Sequence, residues 1–197
     1  MKYGYFDSGL RICAIIAVMV FGSLLTASLV FKDNPGNSGL LSPAFNLNRV
    51  AGIPEQTDYH DWKAVIIHHS GTQGESSAAM RRRYRMLGFE RIPFHFLIHP
   101  DGSADSTEAW KLQTPVSQIL GEKYFNTVAI GICVIGDFSV KGSKPALDQM
   151  TALIQLTRYL MDTFEIKKVN VLPCSDVDDT LSPGEYFPWQ RFLYSLR

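Results

Sequence analysis

Apolar and polar positions alternate with different periods along this chain, and each change of period marks an element. Residues 64–69, Ala-Val-Ile-Ile-His-His, form a short β-branched run of the kind that is buried on both faces in a parallel or mixed sheet. The polar stretch 76–87 reads as a helix, with Ser76 as its cap and Gly88 as its stop. Residues 92–99 return as a strand, and Pro100-Asp101-Gly102 supplies a tight turn after it. A second nearly continuous apolar strand covers 128–135 and is closed by Gly136. Helical spacing is strongest over 145–164, where Leu147, Met150, Leu153, Ile154, Thr157, Leu160, Met161 and Phe164 recur on one face that is expected in the core. Residues 168–172 form a last short strand, and 187–196 a closing helix. Strands interleaved with helices predict an α/β fold, a central mixed β-sheet flanked by helices, with functional loops at one end of the strands.

The pattern before residue 58 is different. Residues 12–31 carry no charge and are mostly apolar, a run of about the 20 residues that a helix needs to cross a bilayer. Lys2 and Arg11 precede it, so the positive-inside bias predicts a cytoplasmic 1–11, a transmembrane segment at 12–31 and the remainder on the extracytoplasmic side. The alternative is a signal peptide cleaved near Leu25-Thr26-Ala27-Ser28, which would release a secreted protein. Cys13 reads as one more apolar residue of that segment. Residues 32–57 are rich in Asn, Pro, Gly and Ser and read as a linker, leaving 58–197 as a single domain. The 19 basic side chains balance 19 acidic ones, so no global field favours nucleic acid, and no nucleic-acid partner is expected.

Candidate chemistry sits in four separated motifs. They are Val65-Ile66-Ile67-His68-His69-Ser70-Gly71-Thr72, Phe94-His95-Phe96-Leu97-Ile98, Asn126-Thr127-Val128-Ala129-Ile130-Gly131-Ile132, and Pro173-Cys174-Ser175-Asp176-Val177 running on to Ser182-Pro183-Gly184 and Trp189. Taken in order, this set resembles the zinc-dependent N-acetylmuramoyl-L-alanine amidases, whose fold is shared by the peptidoglycan recognition proteins. The resemblance covers roughly residues 62–189. It implies a zinc held by a histidine at the end of the first strand, a second histidine after the last strand, and an aspartate or cysteine before a Pro-Gly. His68 matches the first ligand, Cys174 stands at the second and Ser182 at the third.

Cysteine is itself a zinc ligand once deprotonated, but a serine hydroxyl gives the metal no anionic donor. Asp178 or Asp179 is the substitute carboxylate within reach along the chain. By the same resemblance Cys133 stands at a catalytic glutamate, Phe94 at a tyrosine beside the zinc, and Thr180 at the polar donor that steadies an oxyanion, whose loss typically costs ~100-fold to 1000-fold in rate. Phe94, His95 and Asn126 fall in motifs expected along the substrate groove, although His95 also reads as a core histidine. The implied partner is peptidoglycan or a muropeptide, with catalysis weak or absent. An active zinc amidase is the alternative, and a structural relic a third.

The remaining candidates have blander readings. His69 points to the opposite sheet face from His68, while His60 and His99 face water. Arg81, Arg82, Arg83 and Arg85 form a solvated helix face, and Trp62, Trp110 and Trp189 anchor the core. If the implied fold holds, Cys133 and Cys174 lie at one end of the sheet, where they form a disulfide, join His68 in a rearranged metal site, or remain unrelated buried thiols.

Overall fold

The computed structural model describes residues 59–116 and 121–196, so the expected cytoplasmic stretch, membrane segment with Cys13, and linker lie outside the described residues. Among the described residues no helix is long and apolar enough to cross a membrane. The chain runs β1 (Ala64–His69), α1 (Ser77–Met86), β2 (Phe96–Ile98), β3 (Ala104–Ser106), α2 (Glu108–Lys111), α3 (Tyr124–Val128), β4 (Ala129–Val134), α4 (Leu147–Thr163), β5 (Val171–Pro173) and α5 (Trp189–Ser195). The sheet has five strands in the order β3-β2-β4-β1-β5. Among the described residues only the β2–β3 pair is antiparallel. The expected mixed sheet with flanking helices is the observed architecture.

The central strands are buried on both faces, as their unbroken apolar composition requires. Val65 and Ile67 of β1 lie level with Ile130 and Ile132 of β4 and enter the main core with α4 and α5. Ala64, Ile66 and His68 point the other way, level with Ala129, Gly131 and Cys133. Trp62 and Trp110 are fully buried, while Trp189 is half-buried and packs on the main core.

Several boundaries differ from the sequence pattern. The strand expected over 92–99 is only Phe96–Ile98, since Pro93 has no N–H and His95 donates its backbone N–H singly to Gly131 O at 2.9 Å. Residues 168–170 form a 3-10 turn before β5. The hairpin strand β3 and the short helices α2 and α3 have too few residues for a period to show.

The buried stripe of α4 is also rotated: Gln149, Ala152, Leu153, Leu156, Thr157 and Leu160 face inward, whereas Leu147 is 75% exposed. Gln149 causes the turn. Its Nε2 donates to Ile98 O at 3.0 Å and Ile135 O at 2.9 Å, satisfying carbonyls at the ends of β2 and β4. Gln149→Leu fits the space but strands Ile135 O and leaves Ile98 O with only the Ile135 N–H at 2.9 Å, and is expected to cost about 2 kcal/mol in urea unfolding.

Candidate functional site

Three strand ends build the site. His68 is paired in register with Cys133 on β4, and Ile67 with Pro173 on β5, so Cys174 follows β5 beside His68. The row Cys133, His68, Cys174 therefore crosses three neighbouring strands on one sheet face. All three side chains are buried. The expected convergence of His68 and Cys174 at one sheet end is what the topology produces.

The same row excludes the disulfide. With β1 between them, Cys133 and Cys174 are separated by two strand spacings, about 9.5 Å, whereas a disulfide needs Cα atoms within ~7 Å. Both are free thiols. They also belong to different apolar clusters, Cys133 with Met80, Phe94 and Leu97, Cys174 with Ile66 and Val177. The rearranged His68, Cys133, Cys174 site fails as well: among the described residues no group of three His, Cys, Asp or Glu side chains is arranged to hold a metal.

His68 is 4% exposed, its ring lies 5.0 Å from that of Phe94, and its Nε2 has no hydrogen-bond partner. Burial, with His69 adding to it against an opposing pull from Asp178, lowers its pKa to about 3. The imidazole is therefore neutral at physiological pH, the form in which its nitrogen is a ligand or acceptor. Burial, reinforced by the Asp178 carboxylate, pushes the Cys174 thiol up to about 12. Burial also pushes the Cys133 thiol well above its ordinary range.

Ser182 lies beside this row but its hydroxyl is already engaged. The oxygen accepts the His69 N–H at 3.0 Å, capping the end of β1, while Ser182 O accepts the Ser175 N–H at 2.8 Å and pins the turn after β5. Thr180 Oγ1 accepts the Ser182 N–H at 3.2 Å. Of the two substitute carboxylates, Asp178 is the one whose charge reaches both His68 and Cys174. Its Oδ1, however, accepts the N–H groups of Gly121 at 2.8 Å and Asp179 at 3.0 Å, and Asp179 itself is exposed. A hydrolytic zinc wants three protein donors and one open position. Two positions here carry a suitable donor and the third carries a neutral hydroxyl committed to a strand end, so the donor set does not fit that metal.

His95 requires a correction. It is completely buried, its Nδ1 accepts the Gly131 N–H at 2.9 Å, its Nε2–H donates to Thr114 O at 3.1 Å, and its ring packs on Trp62 and Trp110. With both nitrogens used it cannot contact substrate, and it is a core residue tying β4 to the segment after α2. Phe94 is 5% exposed and wedged between His68 and Tyr84. Asn126 is half-buried in α3.

His69 lies on the other face, where Nδ1 accepts the Phe138 N–H at 3.2 Å. His60 and His99 are not free in water as expected: His60 bonds Thr127 O, and His99 Nε2 bonds Asp105 at 3.0 Å.

Sequence reasoning also missed a charged pair near the site. Arg83 grips Glu75 through two bonds of 2.6 and 3.0 Å, donates to Ser70 O at 3.3 Å and stacks over Tyr84 at 4.8 Å. Only Arg81, Arg82 and Arg85 form the exposed face expected of all four. The signal available was Glu75, the lone acid just before a helix crowded with arginines.

The family model described as N-acetylmuramoyl-L-alanine amidase matches residues 58–185. The chain is 25% identical over 143 residues to an endolysin of Enterobacteria phage K11, covering 70% of this chain and 89% of the phage protein. The solved N-acetylmuramoyl-L-alanine amidase LysC of Clostridium intestinale is 26% identical with a TM-score of 0.62, over 69% of this chain and 85% of that one. A human peptidoglycan recognition protein, PGRP-IBETAC, solved in complex with glycosamyl muramyl pentapeptide, shares the fold at 24% identity and a TM-score of 0.56, over 64% of this chain and 79% of that one.

Proposed function

Because this chain belongs to the N-acetylmuramoyl-L-alanine amidase family, we propose that it recognises muropeptide at the sheet end carrying His68 and Cys174, and that it cuts the amide weakly or not at all. The observation that supports this most is Ser182. At the position where the family supplies an anionic ligand, it has a neutral hydroxyl that accepts the His69 N–H. Phe94 and Thr180 add to the argument. The phenyl ring brings no hydroxyl to the His68 side of the groove, and Thr180 carries no charge with which to steady an oxyanion. The complex of the human recognition protein with glycosamyl muramyl pentapeptide supports the ligand class. The charge-free run at 12–31 supports a domain exported to the cell-wall side, tethered there or released.

One observation favours a second reading, an active zinc-dependent amidase. The Nε2 of His68 is buried without a partner, at the end of a strand where a family ligand stands, and an unpaired buried nitrogen there suits a water or a metal ion. One experiment separates the two. On the purified full chain, zinc content is measured alongside release of free stem peptide from cell walls. Retained muropeptide binding, less than stoichiometric zinc and no release are expected. Stoichiometric zinc with turnover that disappears in His68→Ala would establish the active amidase instead.

A further inference from the structure

The helix α1 has two unlike faces. Met80 and Tyr84 pack inward with Ile92, Phe94, Leu97 and Cys133, on the sheet face opposite α4. Helical spacing brings Ala78, Arg81, Arg82, Arg85 and Met86 to the outer side, where all five are exposed. The helix carries no acidic residue. Before it Glu75 is spent on Arg83, and after it Glu90 is the exposed acid. The outer face is thus cationic on a chain whose net charge is zero.

Little of this face serves the fold. Among the described residues Arg81, Arg82 and Arg85 take part in no ion pair. Arg85, in the last turn, complements the helix dipole, but Arg81 and Arg82 lie too far from that end to do so. Met86 is 88% exposed, more than any other large apolar side chain described, and Leu87 beside it is 63% exposed. Three neighbouring cations repel one another until anions approach. A soluble polyanion would neutralise them yet leave Met86 and Leu87 in water. An anionic phospholipid surface answers both, since phosphates meet the guanidinium groups while the apolar pair enters the acyl boundary.

The chain outside the structure favours the same partner. The charge-free run at 12–31 is long enough to cross a bilayer, and the stretch from its end to residue 59 spans at most ~100 Å at full extension. A domain tethered within that distance meets the bilayer at high local concentration, so a small patch suffices.

We propose that the outer face of α1 docks on an anionic phospholipid surface, with Arg81, Arg82 and Arg85 on headgroup phosphates and Met86 and Leu87 in the acyl boundary. The proposal rests on the membrane reading of 12–31, and not on whether the row of Cys133, His68 and Cys174 binds muropeptide.

The test uses the full chain carrying Cys13→Ser, in which the two remaining cysteines, Cys133 and Cys174, are buried. Met86→Cys is labelled there with a polarity-sensitive dye and reconstituted with vesicles of phosphatidylcholine or of an equal mixture with phosphatidylglycerol. Flotation with the neutral vesicles reads the tether, and the dye reads the patch. A blue shift at position 86 on the mixed vesicles, absent on the neutral ones, is expected. Leu147→Cys, at a site 75% exposed on α4 across the sheet, should show none. Arg82→Gln with Arg85→Gln should lower the ratio of docked to free domain about 25-fold, about fivefold for each charge. The melting temperature should not change, because both side chains are exposed.

No shift on mixed vesicles, an equal shift on neutral ones or at position 147, or a shift that survives the double substitution overturns the proposal even where flotation upholds the tether. A shift that soluble polyphosphate reproduces without vesicles overturns it too. A chain that fails to float with neutral vesicles but shows the shift on mixed ones upholds the patch and removes the tether.

Discussion

Between pH 6.5 and pH 4 the folded domain should lose about 3 kcal/mol of stability through His95 alone. Complete burial holds its pKa at about 4, against an ordinary 6.5, and the hydrogen bond from Nε2–H to Thr114 O only partly opposes that. The unfolded chain therefore takes up a proton that the folded chain refuses until about pH 4. Stability is full above pH 6.5, falls as the pH drops through that window and is insensitive to this group below it. A displacement of about 2.5 pKa units at ~1.4 kcal/mol each gives the magnitude.

His68 acts in the same sense, with its pKa lowered to about 3. Urea unfolding of the full chain at stepped pH, with a chelator present, reads the slope. His95→Gln should flatten that slope by about one proton's worth, ~1.4 kcal/mol per pH unit, whatever it does to absolute stability. An unchanged slope would show that the imidazole is protonated in the folded state.

What the sequence disclosed and what it hid follow from how far each signal reaches. The β-branched run of β1 and the continuous apolar run of β4 report burial on both faces, so these strands were legible within about a residue. Periodicity found α4 but set its face wrongly, because hydropathy counts Leu147 as core and Gln149 as surface. A glutamine that satisfies two buried carbonyls is invisible to such a count. β3, α2 and α3 are too short to carry a period.

At the site, motif order pointed to His68, Cys174 and Ser182, and the ladders place the first two side by side. That Ser182 is spent on capping β1, that His95 has no free nitrogen, and that β1 separates the two thiols are facts of pairing across the sheet. Linear spacing holds none of them. The Arg83–Glu75 pair was hidden for a related reason: four neighbouring arginines read as one exposed face until the fold brings a carboxylate to one of them.

Ser182→Cys should convert a chain with little affinity for zinc into one that holds it, tightening binding about 100-fold or more. Losing a group that merely orients a ligand costs 10-fold to 100-fold in metal affinity, so gaining an anionic ligand should exceed that range. The substitution trades a neutral oxygen for a thiolate-capable sulfur at the third family position. The orphaned His68 nitrogen and the Cys174 sulfur already stand on adjacent strands. Cys174 resists ionisation at about 12 while no cation is near, but metal binding drives thiols to release their proton, so uptake should strengthen with rising pH.

The substitution has a cost, because sulfur is a weaker acceptor for the His69 N–H and about 1 kcal/mol of stability should be lost in metal-free protein. Zinc at 100 times its dissociation constant should more than restore it, adding about 2.7 kcal/mol. Zinc content after dialysis, and melting with and without chelator, measure both effects. Hydrolysis should stay feeble even in the loaded variant, since Phe94 has no hydroxyl and Thr180 no charge with which to stabilise the oxyanion that develops in the transition state. A Ser182→Cys chain that gains no zinc would mean that the three positions do not converge. A loaded variant that turns over at once would mean that Ser182 alone had silenced an otherwise competent site.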